Sequence, residues 1–518
     1  MNSSSSDPTA QQGPFSWPWA ALVLLSIATF VGFLVYPTYP NYDSYYSLIW
    51  GRELLHFQKP SFETYYAPTQ HPLAVAFGAL LSLLGRGGDR VMVFCTLVSF
   101  VVMVAGVYRI GRLLFTPWVG LVAGAILCTR FDFPFLAARG YIDIPYLALI
   151  VWAVALEIQR PGRGGVVWLL LLAAGLLRPE AWLLLGCYGL WLAVRTYREG
   201  RSLPAAARSL ARSAAISAIA PLIWCLSDWL VTGDPLFSLT HTSSFAEELG
   251  RTKGVSEIPG AMRAFFFNLT KAPVLAAGIL GVVLAFWFVP KRALLPAGLW
   301  LIGSGTFVLV GIAGLSVIDR YLLVAALMVM IFAAVTIAGW TMLERGWVRN
   351  LWAVLAVAAV AYGAVFTVMR VNVNKLTSEL ERRGKSHRAL VDLLDRPDVR
   401  DSCVPFSTPS HKLVPEVRWV ASLGEPDVRA RSEAVGASDK RLAPAVRAKR
   451  KAAAERLSKG GTAIYVVDRG TILRQALVTD RDDIFTQIPV YIDRTAQADF
   501  ERLAYNGYYS AYGRCPAG

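Results

Sequence analysis

Four charged residues stand inside or at the edge of apolar runs in this chain: Asp43 in "NYDSYYSLIWGREL", Asp143 in "YIDIPY", Arg178 in "LLRPEAW" and Arg320 in "SVIDRYLLVAA". Carboxylates at the edge of hydrocarbon are costly to bury, so they are paired, hydrated or functional. Arginine holds phosphate oxygens through its planar fork of donors. The pattern is one of carboxylates beside cations fit for phosphate. Each residue also has a plainer reading. Asp43 can cap a helix, Arg320 can pair with Asp319, and Arg178 with Glu180. His71, in "TQHPLA", is the one histidine in a motif-like setting, and Asp132 and Asp234 read as loop or capping acids.

The elements that must position these residues are membrane helices. Of 518 residues 55% are apolar, only 17% are charged, and 16 are Trp, which is far from the balance of a soluble domain. About 20 mostly apolar residues cross the hydrocarbon. Runs approaching that length cover 17–36, 91–108, 118–131, 143–158, 166–195, 214–232, 273–289, 294–315, 321–341 and 350–369. Ten to twelve helices are expected, some of them incomplete. The run 71–85 reads as a partial insertion, and 166–195, broken by "LLRPEAW", as a re-entrant hairpin.

Arg109 and Arg112, Arg160 and Arg163, the cluster Arg195, Arg198, Arg201, Arg208 and Arg212, Lys291 with Arg292, and Arg345 with Arg349 fall in short connections. Retaining these on the cytoplasmic side leaves 36–70, Asp143, the 233–272 loop, Asp319 and everything after 370 outside. The polar segment 1–16 lacks a basic start, so it reads as a disordered cytoplasmic tail and the first helix as one that is kept. Tyr46, Ile49, Trp50 and Leu54 recur at helical spacing, which predicts an amphipathic helix lying on the membrane surface.

Near residue 370 the composition turns polar. Strand-like runs such as "TAIYVVDRG" alternate with helical patterns, which predicts a soluble α/β domain over 371–518. Cys403 and Cys515 are its only cysteines, and an oxidising location favours their pairing. The net charge of +15 is spread over loops and tail and does not argue for nucleic acid. No G-x-G-x-x-G after a strand, P-loop or zinc-spaced cluster occurs in the membrane part.

A lone Asp after the first helix, followed by interfacial helices and a His-Pro step, resembles the GT-C glycosyltransferases, with relatives among protein O-mannosyltransferases, aminoarabinose transferases and actinobacterial arabinofuranosyltransferases. "YIDIPY" is similar to their second acidic motif, and "LLRPEAWLL" and "DRYLL" resemble segments of bacterial members. The resemblance covers roughly 17–370, with a first extracytoplasmic loop at 37–70. It departs in one respect: no Glu stands beside Asp43, which leaves metal use open, a divalent metal included.

The resemblance implies a polytopic α-helical membrane enzyme in a bacterial plasma membrane, with its site and C-terminal domain extracytoplasmic. It would move a sugar from a polyprenyl-phosphate donor to a glycan, lipoglycan or protein acceptor. Asp43 would be the general base, Arg320 and Arg178 would neutralise the lipid phosphate, Asp143 and His71 would position substrate, and Tyr42, Tyr45 and Tyr46 would offer platforms to sugar rings. The Ala- and Arg-rich composition suits an actinobacterium. The outer domain would hold a polymeric acceptor near the cavity. A transporter or flippase is the competing class, since it also places charges in broken helices.

Overall fold

The computed structural model describes residues 17–515 except 163, 201, 241–254, 316, 371–373, 435–443, 469 and 472–499. The expected tail at 1–16, Arg163, Arg201 and part of the 233–272 loop therefore lie outside the described residues.

Helix α1 (Trp17–Val35) buries none of its side chains in the protein, as suits a span facing lipid. Then come α2 (Tyr42–Leu55), α3 (Pro72–Ser82), α4 (Gly88–Leu114), α5 (Pro117–Thr129), α6 (Asp132–Ala138), α7 (Asp143–Gln159), α8 (Gly165–Leu177), α9 (Ala181–Arg198) and α10 (Leu203–Thr232). After the undescribed loop follow α11 (Ile258–Thr270), α12 (Ala272–Phe288), α13 (Pro290–Ile312), α14 (Leu323–Ala338) and α15 (Trp347–Arg370). Among the described residues six helices are long and apolar enough to cross a membrane, or eight if the bent pairs α5–α6 (65°) and α11–α12 (102°) each count as one. The shorter apolar helices α3 and α8 complete the unit. At 11 residues α3 is too short to span the hydrocarbon.

Helix α14 is the core of the membrane unit, buried on nearly every side. Helix α12 reaches it through Gly281, where a Cβ would meet the Phe332 carbonyl oxygen at 1.8 Å. Helices α8 and α9 fold back on each other at Arg178. The rings of Trp168 and Tyr188, each ten residues from that break, lie 4.9 Å apart.

The first loop departs from expectation. Helix α2 is not the amphipathic element with one open face that was expected; nine of its residues are buried by the protein. It is locked against α3 by small residues, since a Cβ on Gly51 would lie 2.2 Å from the Ala79 amide nitrogen and one on Gly78 would lie 2.2 Å from the Ser47 carbonyl oxygen. Its remaining face is covered by the C-terminal unit.

That unit begins with α16 (Lys375–Leu394) and α17 (Pro397–Arg400) and continues through α18 (Val414–Val420) and α19 (Pro444–Ser458). Helix α19 is strongly basic, carrying Arg447, Lys449, Arg450, Lys451 and Arg456. The strands β1 (Phe406–Thr408), β2 (Val428–Ala430), β3 (Gly461–Val466), β4 (Glu501–Tyr505) and β5 (Tyr509–Arg514) form a sheet of order β2-β1-β3-β5-β4. The β2–β1 and β1–β3 pairs are parallel, and β3–β5 and β5–β4 antiparallel. Leu390, Leu393, Phe406, Val417, Ile464 and Ala511 build its core, and Cys403 is disulfide-bonded to Cys515.

Arg418, fully buried, fastens the unit to the first loop. It donates to Glu53 at 2.6 Å and to the Ser61 hydroxyl at 3.1 Å. Arg52 in turn donates to the carbonyls of Arg418 and Leu423 at 3.1 and 3.2 Å.

Candidate active site

The site begins with a cap. Asn41, in extended conformation, accepts from the Ser44 amide at 2.9 Å and so starts α2. Asp43 is therefore inside the first turn, and the capping role read for it belongs to Asn41. Its carboxylate is left to face Arg320, whose Nη1 lies 3.3 Å from it. The same nitrogen lies 3.5 Å from Asp143, at the start of α7. The Arg320 guanidinium stacks over the Tyr141 ring at 5.5 Å.

Asp143 is wholly buried, and its other oxygen accepts from Arg178, which also donates to Glu180 at 3.0 Å. The result is one alternating chain of charge: Asp43, Arg320, Asp143, Arg178, Glu180. Its two ends differ in access. The side chains of Asp43 and Arg320 are 23% and 26% exposed, whereas Arg178 is 7% exposed and Asp143 not at all. Solvent reaches the Asp43–Arg320 end, and the buried end holds it in place. The plainer pairing of Arg178 with Glu180 exists, but it is half of a larger network. Arg320 makes its contacts with Asp43 and Asp143.

His71 sits just before α3, with its ring edge-on to Trp224 at 5.5 Å and a buried, unpartnered Nδ1. Burial first, then the Arg178 charge, push its imidazole down to about 3, so it is neutral near pH 7. Tyr42 donates to the Tyr66 carbonyl and rests edge-on against His411 of the C-terminal unit at 5.7 Å. Tyr45 and Tyr46 cannot serve as sugar platforms. They are 1% and 0% exposed; Tyr45 donates to Asp89 at 3.2 Å, and Tyr46 packs on Trp50. The i, i+4 pattern that places an aromatic beside a catalytic residue is the same one that fills a core. Asp132 and Asp234 take no part in the chain of charge.

The described residues do not fit a divalent metal. No group of three His, Cys, Asp or Glu able to hold one converges among the described residues. Asp43 and Asp143 share Arg320 between them, so the guanidinium already supplies positive charge there.

An apolar cleft of about 440 Å³ is lined by chain neighbours of the buried end of this network and by none of its charged residues. Leu73, Ile142 and Leu177 line it, and each is within two residues of His71, Asp143 or Arg178. Sequence reasoning missed Tyr141 and His411. Tyr141 was available as the neighbour of "IDIP", whereas nothing local marks His411, which comes from the far end of the chain.

No family model and no curated protein matches the sequence. Solved structures do match in fold. The chain superposes on ArnT from Cupriavidus metallidurans bound to undecaprenyl phosphate with a TM-score of 0.53, at 12% identity over 96% of this chain and 98% of that one. It superposes on the archaeal oligosaccharyltransferase AglB from Archaeoglobus fulgidus, in complex with an inhibitory peptide and a dolichol-phosphate, with a TM-score of 0.53, at 11% identity over 96% of this chain and 75% of that one. The protein has the GT-C-like fold: a polytopic helical membrane unit followed by a small domain containing a sheet.

Proposed function

We propose that this protein transfers a sugar from a polyprenyl-phosphate donor to a hydroxyl of a cell-envelope acceptor, on the outer face of a bacterial plasma membrane. The carrying observation is the Asp43–Arg320 pair, partly open to solvent and anchored on buried Asp143, whose chain neighbour Ile142 lines an apolar cleft. A lipid-linked substrate needs such a junction of charge and hydrocarbon. The undecaprenyl and dolichol phosphates named with the two similar structures support this donor class.

The isoprenoid would lie in the cleft, with the phosphate at Arg320. Asp43 would take the acceptor hydroxyl proton as the oxygen attacks the anomeric carbon. The bond from that carbon to the phosphate oxygen breaks, and its electron pair stays on the phosphate, neutralised by Arg320. Arg178 has both terminal nitrogens engaged, so it acts through Asp143 as a positioning residue. The unit from α16 onward, with His411 beside Tyr42, would hold the acceptor. All four charged residues first singled out sit at helix ends on one side, which supports an enzyme over a transporter with charges at mid-membrane in two halves.

The test is transfer by the purified protein from polyprenyl-phosphate mannose, arabinofuranose and aminoarabinose, read as release of polyprenyl phosphate. Turnover of one donor that disappears in Asp43→Asn supports the proposal. Turnover of none, or activity retained by Asp43→Asn, overturns it.

A further inference from the structure

A second cavity, of about 540 Å³, opens between α1, α4, α5 and α7 at the opposite end of the helices from Asp43. Its place follows from how α1 meets α4. Near the site Arg90 donates to the carbonyls of Phe33 and Thr38 at 2.9 and 3.0 Å, and Phe33 packs on Phe94 at 5.4 Å. Toward Trp19 the two helices part, and the gap is the cavity.

Its walls are mostly apolar, including Leu22, Leu25 and Leu121, and its volume falls within the roughly 300–1,000 Å³ of ligand sites. Its polar groups are few. Arg109 and Arg112 line it, and Arg112 makes no ion pair among the described residues. Arg109 is held by Gln159 at 2.6 Å and by the Trp152 ring at 5.7 Å. The Tyr108 hydroxyl is buried without a hydrogen-bond partner. Such walls suit acyl chains, and the arginines and the hydroxyl are donors from which a phosphate could accept.

We infer that this groove is a binding site for an anionic glycerophospholipid of the leaflet opposite the candidate active site, with its phosphate at Arg109 and Arg112 and its acyl chain between α1 and α4. Basic residues concentrate on that side of the membrane in bacteria, where anionic headgroups are attracted to them. The occupant differs from the proposed donor in position and leaflet, so the inference stands if the transferase reading fails.

The test uses the full chain in phosphatidylcholine nanodiscs doped with photoactivatable phosphatidylglycerol or, separately, photoactivatable phosphatidylcholine, with labelled peptides mapped. The expected result is phosphatidylglycerol label concentrated on residues 17–25 and 104–113. That label should fall about fivefold for each arginine removed in Arg109→Gln/Arg112→Gln, while the phosphatidylcholine label stays constant. Ala21→Phe, at an exposed position of α1, should reduce both labels there without changing the thermal midpoint. Equal labelling by the two lipids, or label unchanged in the double variant, overturns the inference. Displacement by undecaprenyl phosphate would assign the groove to the donor. A rise in label on deletion of residues 1–16 would assign it to the chain's own N-terminal segment.

Discussion

Arg320 and Asp43 stand 3.3 Å apart although 277 positions separate them in the chain. The acid proposed as base is thus tied to the cation proposed for the phosphate. A donor phosphate that draws Arg320 to itself would release Asp43 for the acceptor hydroxyl. Removal of Arg320 should therefore weaken donor use before acceptor use. Arg320→Ala is expected to lower kcat/KM by about 10²-fold or more, the usual loss on deleting one charge-stabilising donor, with most of the change in the donor KM and partial recovery in Arg320→Lys. Equal effects on both substrates would mean that the pair is structural.

Asn41 and Asp43 divide capping from chemistry, and their variants should separate the two. Asn41→Ala is expected to lose about 1 kcal/mol of stability while keeping most of its turnover. Asp43→Asn is expected to lose turnover while keeping its thermal midpoint in detergent. The reverse pattern would return the capping role to Asp43.

Glu53 and Arg418 form a buried pair across the join between the first loop and the C-terminal unit. Breaking such a pair from one side costs about 3–5 kcal/mol, because the partner charge stays buried. Glu53→Gln and Arg418→Met should each lower the unfolding midpoint sharply, and Glu53→Met/Arg418→Met should regain most of the loss. If the double variant is as unstable as the singles, hydrogen bonding to Ser61 and not charge balance holds the join.

His71 makes a statement about pH. Its folded-state value of about 3 lies below its ordinary 6.5, so below pH 6.5 the unfolded chain binds a proton that the folded chain refuses. Stability should be unaffected by this group above pH 7 and should decline as pH falls from 6.5 toward 3. In detergent, the midpoint of His71→Gln should fall less between pH 7 and 5 than that of the wild type. Identical slopes would show that His71 is solvated.

The polytopic helical class and the four charged residues were legible in the sequence for one physical reason: charge beside hydrocarbon has few stable explanations. The break at "LLRPEAW" was legible because a polar step within an apolar run must turn or bury itself, and the antiparallel pairing of α8 and α9 through Trp168 and Tyr188 is its outcome. The surroundings of Asp43 were not legible. Tyr45, Tyr46, Ile49 and Trp50 repeat at a spacing that fits equally a membrane interface and a protein core. What decides is a covering element that comes more than 350 residues later, whose arrival no local pattern announces. Asn41, the first residue of the quoted stretch, took the capping role for the same local reason that made Asp43 a candidate for it.

The Arg418–Glu53 pair also sets a timetable. The two partners are 365 residues apart, and at about 5–20 residues per second the ribosome needs on the order of 20–70 s to make the second after the first. Throughout that interval α2 and its carboxylate must wait with one face uncovered. A cell making this protein has an unfinished first loop to protect, and a chain cut short before residue 414 would leave it so permanently, a natural mark for quality-control proteolysis.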